Sequence, residues 1–238
     1  MASFVLVHGG LHGGWCWKHI VEKLEALGHT ALAVDLPGHG EDKTSFAELA
    51  FEGYVAAVVA AIDSQPEPVV LVGHSMGGVS VTQATEERHD RVAQLIYLSA
   101  IYVESGSTLA DLRGEDGMPI GGDGMKLSDD FTTLTAIPEE APGIFYGNCS
   151  DEDIAFAMER IVPEAIAVTF GTLNFTKERF GSVPRAFIGC HQDHALVPAN
   201  QKLMYTRAGC DPVVFMDTDH SPFFSAPDEL VNVLLSLI

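Results

Sequence analysis

The pentapeptide Gly73-His74-Ser75-Met76-Gly77 runs straight out of the apolar stretch Val69-Val70-Leu71-Val72. That stretch has the composition of a strand buried on both faces. Glycines two residues either side of the serine allow the backbone to turn sharply and other segments to approach it closely. A helix is expected to begin at once, near Gly78. Strand, tight turn and helix together make a nucleophile elbow, which lifts the Ser75 hydroxyl above the carboxyl edge of a sheet at an unusual backbone conformation. The feature ties the chain to an α/β sheet and points to hydrolysis through a serine.

The remaining sequence agrees with that frame. Short apolar or β-branched runs at residues 4–7, 31–34, 69–72, 95–98, 186–188 and 213–216 alternate with helix-length segments at 19–27, 54–64, 77–88 and 228–238. This alternation predicts a mostly parallel, doubly wound sheet covered on both faces. Gly28 suits the end of the first helix and Pro66 stops the second. Between residues 103 and 183 the alternation breaks down, and the segment 106–130 is rich in Gly, Asp and Ser. We expect residues 1–102 and 184–238 to form one core and residues 103–183 an inserted cap. A structureless loop of that length is disfavoured, so short helices are expected at 151–160 and 164–170.

The chain has 238 residues, enough to bury one substantial core. Its 13 basic and 33 acidic side chains give a net charge of −20, which opposes nucleic acid and anionic lipid as partners. No apolar run approaches the ~20 residues of a spanning helix. Met1-Ala2-Ser3 carries no basic residue, and residues 4–7 are too short for a signal core. Cys16, Cys149, Cys190 and Cys210 show no paired spacing, which is the pattern of free thiols in a reducing compartment. A cytoplasmic protein is the expectation.

A serine hydroxyl is a weak nucleophile until a base takes its proton, so a histidine and a group that orients it are required. After an elbow serine the chain order is serine, acid, histidine, and Ser75, Asp193 and His220 satisfy it. Asp193 follows the strand expected at 186–188 and His220 the strand at 213–216, so both belong to the edge where Ser75 emerges. Asp217 stays open as a rival acid, whereas Asp219 is too close in sequence to reach the His220 ring easily. His19, His29 and His89 read as surface, and His39 as part of a Gly38-His39-Gly40 turn. Backbone donors for an oxyanion are expected at Met76, after the nucleophile, and at Gly10, in the glycine-rich loop after the first strand. His8 and His12 lack the glutamate of a zinc-protease helix and are separated by glycines, and the His191, Asp193 and His194 group has no metal-site spacing either; no metal is expected.

Val7-His8-Gly9-Gly10-Leu11-His12-Gly13-Gly14-Trp15, then Leu24-Glu25-Ala26-Leu27-Gly28-His29 and Ala33-Val34-Asp35-Leu36-Pro37-Gly38-His39-Gly40, resemble the α/β-hydrolase superfamily. Within it the chain is similar to the plant methylesterase and hydroxynitrile lyase group and to bacterial carboxylesterases that hydrolyse pyrethroids. The similarity is strong over residues 4–102 and 184–238 and weak between them. It implies the α/β-hydrolase fold, no cofactor, the same triad and oxyanion residues, and, by analogy, a homodimer. The lyases carry threonine at the place of Gly9, glutamate at that of His74 and lysine at that of Ser221. All three are absent, which favours the esterase branch.

The expected activity is therefore a serine carboxylesterase acting on small to medium apolar or aromatic esters through an acyl-enzyme. The competing readings are a hydroxynitrile lyase and a small-ligand receptor on a hydrolase scaffold. Pocket walls are expected from Leu11, Met76, Tyr102, Phe145, Phe156, Phe170 and Phe223.

Overall fold

The computed structural model describes residues 1–114, 117 and 124–238. In chain order its main elements are β1 (Ser3–Val7), α1 (Lys18–Ala26), β2 (Thr30–Val34), α2 (Phe51–Asp63), β3 (Val69–His74), α3 (Gly77–Glu87) and β4 (Val92–Leu98). An insertion follows, with β5 (Met125–Leu127), β6 (Thr133–Ala136), α4 (Ala141–Phe145), α5 (Asp151–Met158) and β7 (Glu164–Ala165). The chain closes with β8 (Arg185–Cys190), α6 (Pro198–Ala208), β9 (Val213–Met216), α7 (Pro222–Ser225) and α8 (Pro227–Ser236).

Six strands form one parallel sheet in the order β2-β1-β3-β4-β8-β9. Side chains alternate between its faces, as strand geometry requires. Val5, Val7, Leu71, Leu95, Tyr97 and Phe187 pack on one side with α2, α3 and α6. Phe4, Leu6, Val72, Ile96, Leu98 and Ile188 pack on the other with α1 and α8. Burial on both faces explains why the central strands read as continuous apolar runs. Helix α6 has no counterpart in the sequence reading: only Gln201, Met204 and Ala208 are buried along it, too few for an apolar stripe to show.

The chain winds from β1 to β2 on one side and returns to β3 on the other, a reversal that opens a crevice at the carboxyl ends of β1 and β3. Val7 is paired with Gly73 there, so the loop after β1 and the turn after β3 emerge side by side. The turns after β4, β8 and β9 reach the same edge.

In the insertion a three-stranded antiparallel sheet, β5-β6-β7, stands apart from the main sheet. Helix α5 lies where a helix is expected. The helix expected at 164–170 is absent: Glu164 pairs with Leu134 as β7, and Ile166–Phe170 forms a 3-10 turn. The β-branched Ile166, Val168 and Thr169 within it weaken a helix, and antiparallel pairing with β6 takes the backbone instead. Residues 115, 116 and 118–123, part of the expected cap, lie outside the described residues. Among those described, no helix is long and apolar enough to cross a membrane.

Candidate active site

Ser75 sits between β3 and α3 with φ +51°, in the left-handed region that non-glycine residues seldom occupy. The turn is held by hydrogen bonds from the Ser75 amide to the Leu98 carbonyl (3.2 Å) and to the Ser75 carbonyl from the amides of Gly78 (3.0 Å) and Ile101 (2.9 Å). Its flanking glycines are required by space. A Cβ at position 73 would stand 2.5 Å from Val81 Cγ2, and one at 77 would collide with the His8 carbonyl oxygen.

The structure brings Ser75, His220 and Asp193 together across 145 and 27 residues of chain. His220 Nε2 is 3.0 Å from Ser75 Oγ, and His220 Nδ1 is 2.7 Å from Asp193 Oδ2. Asp193 is buried, and its Oδ1 accepts hydrogen bonds from the amides of Ala195 and Leu196, both at 2.8 Å. The rival Asp217 is exposed and accepts instead from Gln192 Nε2 at 2.8 Å. Asp219 braces the preceding turn by accepting from the Asn148 amide (2.9 Å) and Ser225 Oγ (2.7 Å).

One member escaped the sequence reading. The Ser99 hydroxyl donates to Asp193 Oδ2, the oxygen that also faces His220, from a residue at φ +39° just past β4. A polar residue closing the buried run Leu95-Ile96-Tyr97-Leu98 was the available signal.

Four further histidines are buried around the site. Burial, then the neighbouring imidazoles, push His8 and His74 well below the ordinary histidine value. Burial brings His12 down to about 4. Kept neutral, these rings act as struts. His74 Nε2 donates to the His220 carbonyl (2.8 Å), and the rings lie 4.6 Å apart between centroids. His12 Nδ1 donates to the Gly10 carbonyl (2.8 Å) and its Nε2 accepts from the Tyr146 hydroxyl (2.7 Å). His8 Nδ1 donates to the Gly9 carbonyl (2.7 Å), and Nε2 accepts the Leu36 amide (3.1 Å).

His39 lies in the expected turn but is buried, and it behaves differently. Burial opposes its charge, but the adjacent Glu164 carboxylate outweighs burial and holds His39 above the ordinary value. Its Nε2 lies 3.3 Å from Glu164 Oε2, so the two form a buried ion pair. Glu164 Oε1 accepts from the Tyr54 hydroxyl (2.7 Å) and the Ala165 amide (3.1 Å).

A cavity of about 240 Å³ opens over Ser75 and His220. Gly10 and Met76 line it together, with Met76 at the N-terminal end of α3. Of the expected walls, Leu11, Met76 and Phe145 are present. Four are not. Tyr102 packs beneath the sheet edge against Tyr97, Phe175 and Phe180. Phe156 is held between Lys18 Nζ and the Arg160 guanidinium, 3.7 and 3.8 Å from its centroid. Phe170 is 62% exposed. Phe223 is core, packed on Trp17 and His74. Aliphatic residues of the insertion fill the places, Leu109, Leu112, Met125, Leu134 and Ile166 among them. Among the described residues, no group of three or more His, Cys, Asp or Glu is arranged to hold a metal ion.

Comparison with known proteins agrees in both sequence and shape. The chain is 32% identical to methylesterase 1 of Arabidopsis thaliana over 98% of its own length and 95% of the relative's. It is 31% identical to polyneuridine aldehyde esterase of Rauvolfia serpentina, with 98% and 94% covered. Its fold superposes on a pyrethroid hydrolase from Sphingobium faniae with a TM-score of 0.85 and 30% identity, over 99% of this chain and 96% of the other. Residues 4–233 match the family described as alpha/beta hydrolase, so with an elbow serine at the carboxyl edge of a parallel sheet, the chain belongs to the α/β hydrolase family.

Proposed function

We propose that this protein is a serine carboxylesterase for small to medium apolar or aromatic carboxylic esters, working through an acyl-enzyme. The observation that carries the reading is the unbroken chain of contacts from Ser75 Oγ through His220 to Asp193, opening into an apolar cavity. The esterase and pyrethroid hydrolase relatives support the same class of reaction. Residues 103–183 act as the cap over a core of residues 1–102 and 184–238.

In this reading His220 takes the Ser75 proton as Oγ attacks the ester carbonyl, and Asp193 holds the imidazole in the required tautomer and steadies its positive charge. The Gly10 and Met76 amides stabilise the oxyanion. His220 then protonates the departing alcohol. Water, deprotonated by His220, attacks the acyl-enzyme and releases the acid, so one ester and one water yield one acid and one alcohol.

The lyase alternative is disfavoured. A Cβ at position 9 would stand 2.7 Å from Ser75 Cβ, so a threonine there would displace the nucleophile. Buried, uncharged Ser221 supplies no cation beside His220 to stabilise departing cyanide. The four free cysteines support a reducing, cytoplasmic setting, and a homodimer follows by analogy with similar proteins. The strong negative charge argues against nucleic acid.

p-Nitrophenyl esters of rising acyl length test the activity, with Ser75→Ala as the blank. Turnover by the parent protein, lost in the variant, is the expected result. Absence of turnover together with a Ser75 that fluorophosphonate does not label would overturn it, and cyanide release from mandelonitrile without ester turnover would promote the lyase.

A further inference from the structure

One stretch of the insertion, residues 143–148, is bonded to the loops that carry the acid and the base. The Gly143 carbonyl accepts from His194 Nδ1 (3.1 Å), next to Asp193, and the Asn148 amide donates to Asp219 Oδ2 (2.9 Å), next to His220. Asn148 Nδ2 also donates to Gln192 Oε1 (2.9 Å), on the other side of Asp193. Tyr146 lies in the middle of this stretch and is fully buried, so its place is set relative to both triad loops. Its hydroxyl reaches a third loop, the one after β1, by donating to His12 Nε2 at 2.7 Å.

That third loop needs to be held from outside. Gly9 and Gly10 have no Cβ to restrict them, and Leu11 sits at φ +67°, a strained conformation that persists only where surrounding bonds enforce it. His12 supplies such a bond: its Nδ1 donates to the Gly10 carbonyl at 2.8 Å and fixes the peptide that leaves Gly10. Burial keeps the ring neutral, with one donor and one acceptor. With the proton on Nδ1, Nε2 has to accept, and the Tyr146 hydroxyl is its donor. The ring is thereby pinned at both nitrogens. Without the hydroxyl, Nε2 would be a buried acceptor with nothing to accept, and the ring would be held at one nitrogen only.

We propose that Tyr146 is a positioning residue for hydrolysis, which keeps the Gly10 amide aimed at the oxyanion by holding the His12 ring. The inference rests on the esterase reading, which assigns that amide to the oxyanion, and it makes a residue of the insertion a contributor to turnover. Donors that stabilise a transition state have to be aligned before the charge develops. A loop released from its brace therefore loses transition-state stabilisation while the ester still binds in the same apolar cavity.

The test is Tyr146→Phe, which keeps the ring and removes the hydroxyl. Rates are taken per Ser75 titrated with fluorophosphonate, so only folded protein counts. For p-nitrophenyl esters kcat should fall about tenfold to a hundredfold, with KM within about twofold. The Ki of an aryl trifluoromethyl ketone, whose adduct with Ser75 carries the oxyanion, should rise by the same factor, and that of the matching secondary alcohol, which forms no adduct, should stay put. Tyr97→Phe removes a hydroxyl equally buried, 2.6 Å from Thr82 Oγ1 in α3, and should lower stability without moving kcat. Nitrogen NMR of the parent protein should find His12 protonated at Nδ1 and bare at Nε2, and Tyr146→Phe should shift the Gly10 amide resonance. An unchanged kcat, a loss matched by Tyr97→Phe, or the opposite His12 tautomer would overturn the role of Tyr146 while leaving the esterase intact. Should the variant yield no titratable protein, the parent tautomer decides. No turnover by the parent protein would sink the esterase reading instead, and the His12 and Gly10 resonances would then judge the hold of Tyr146 on the loop.

Discussion

At the scale of single residues, the proposal separates side chains that react from those that hold them. Ser75→Ala should lower kcat by at least about a thousandfold, leaving only what binding and the oxyanion donors supply, as single-turnover kinetics can measure. Asp193→Asn should cost a comparable factor because it favours the wrong His220 tautomer, whereas Asp217→Asn, on an exposed residue bonded to Gln192, should stay within about twofold. Ser99→Ala removes a donor to Asp193 Oδ2 and should lower kcat with little change in KM. His12 predicts acid sensitivity. The unfolded chain takes up its proton near 6.5 and the folded chain only near 4, so stability is lost as pH falls through that interval, by up to about 3 kcal/mol. His12→Gln should flatten the dependence of unfolding free energy on pH between those limits. That Ser75, His220 and Asp193 would meet was readable because their order and their positions after strands follow from the sheet. Ser99, His39 and Glu164 were not, since each acquires meaning only from a partner far away in sequence.

Among the elements, the strands were the most legible part of the chain, because burial on both faces forces uninterrupted apolar runs at residues 69–72 and 95–98. Helix α6 was hidden by its nearly featureless sequence, and the two-residue strand β7 by Glu164 and Ala165, both good helix formers. Those two failures share a cause: where tertiary pairing, not local pattern, decides the conformation, the sequence carries little signal. Four aromatic pocket candidates failed similarly, since an apolar side chain near the site in sequence can face core, solvent or cavity without changing its composition. The elbow makes a clean stability test. Gly77→Ala drives a methyl group into the His8 carbonyl and should destabilise by about 3 kcal/mol in urea unfolding. Gly143→Ala, in α4 with open space at its Cβ position, should be neutral or stabilising by up to about 1 kcal/mol.

For the whole molecule, the net charge of −20 acts on any charged substrate before contact. The kcat/KM for an anionic ester should rise several-fold between about 0.01 and 0.15 M salt, as the screening length contracts from about 30 to 8 Å, while a neutral ester of the same shape stays flat. The alternating strand and helix signals stop near residue 103 and resume near 184, and among the described residues no strand of the main sheet lies between β4 and β8. What that break did not reveal is the seam between core and insertion. Leu11, in a left-handed conformation, offers its carbonyl to the Val162 amide, so the loop beside Ser75 and the insertion share one bond. Transplanting residues 103–183 from a relative would therefore disturb turnover as well as selectivity, and chimeras intended to exchange substrate preference should carry residues 8–12 along with the graft.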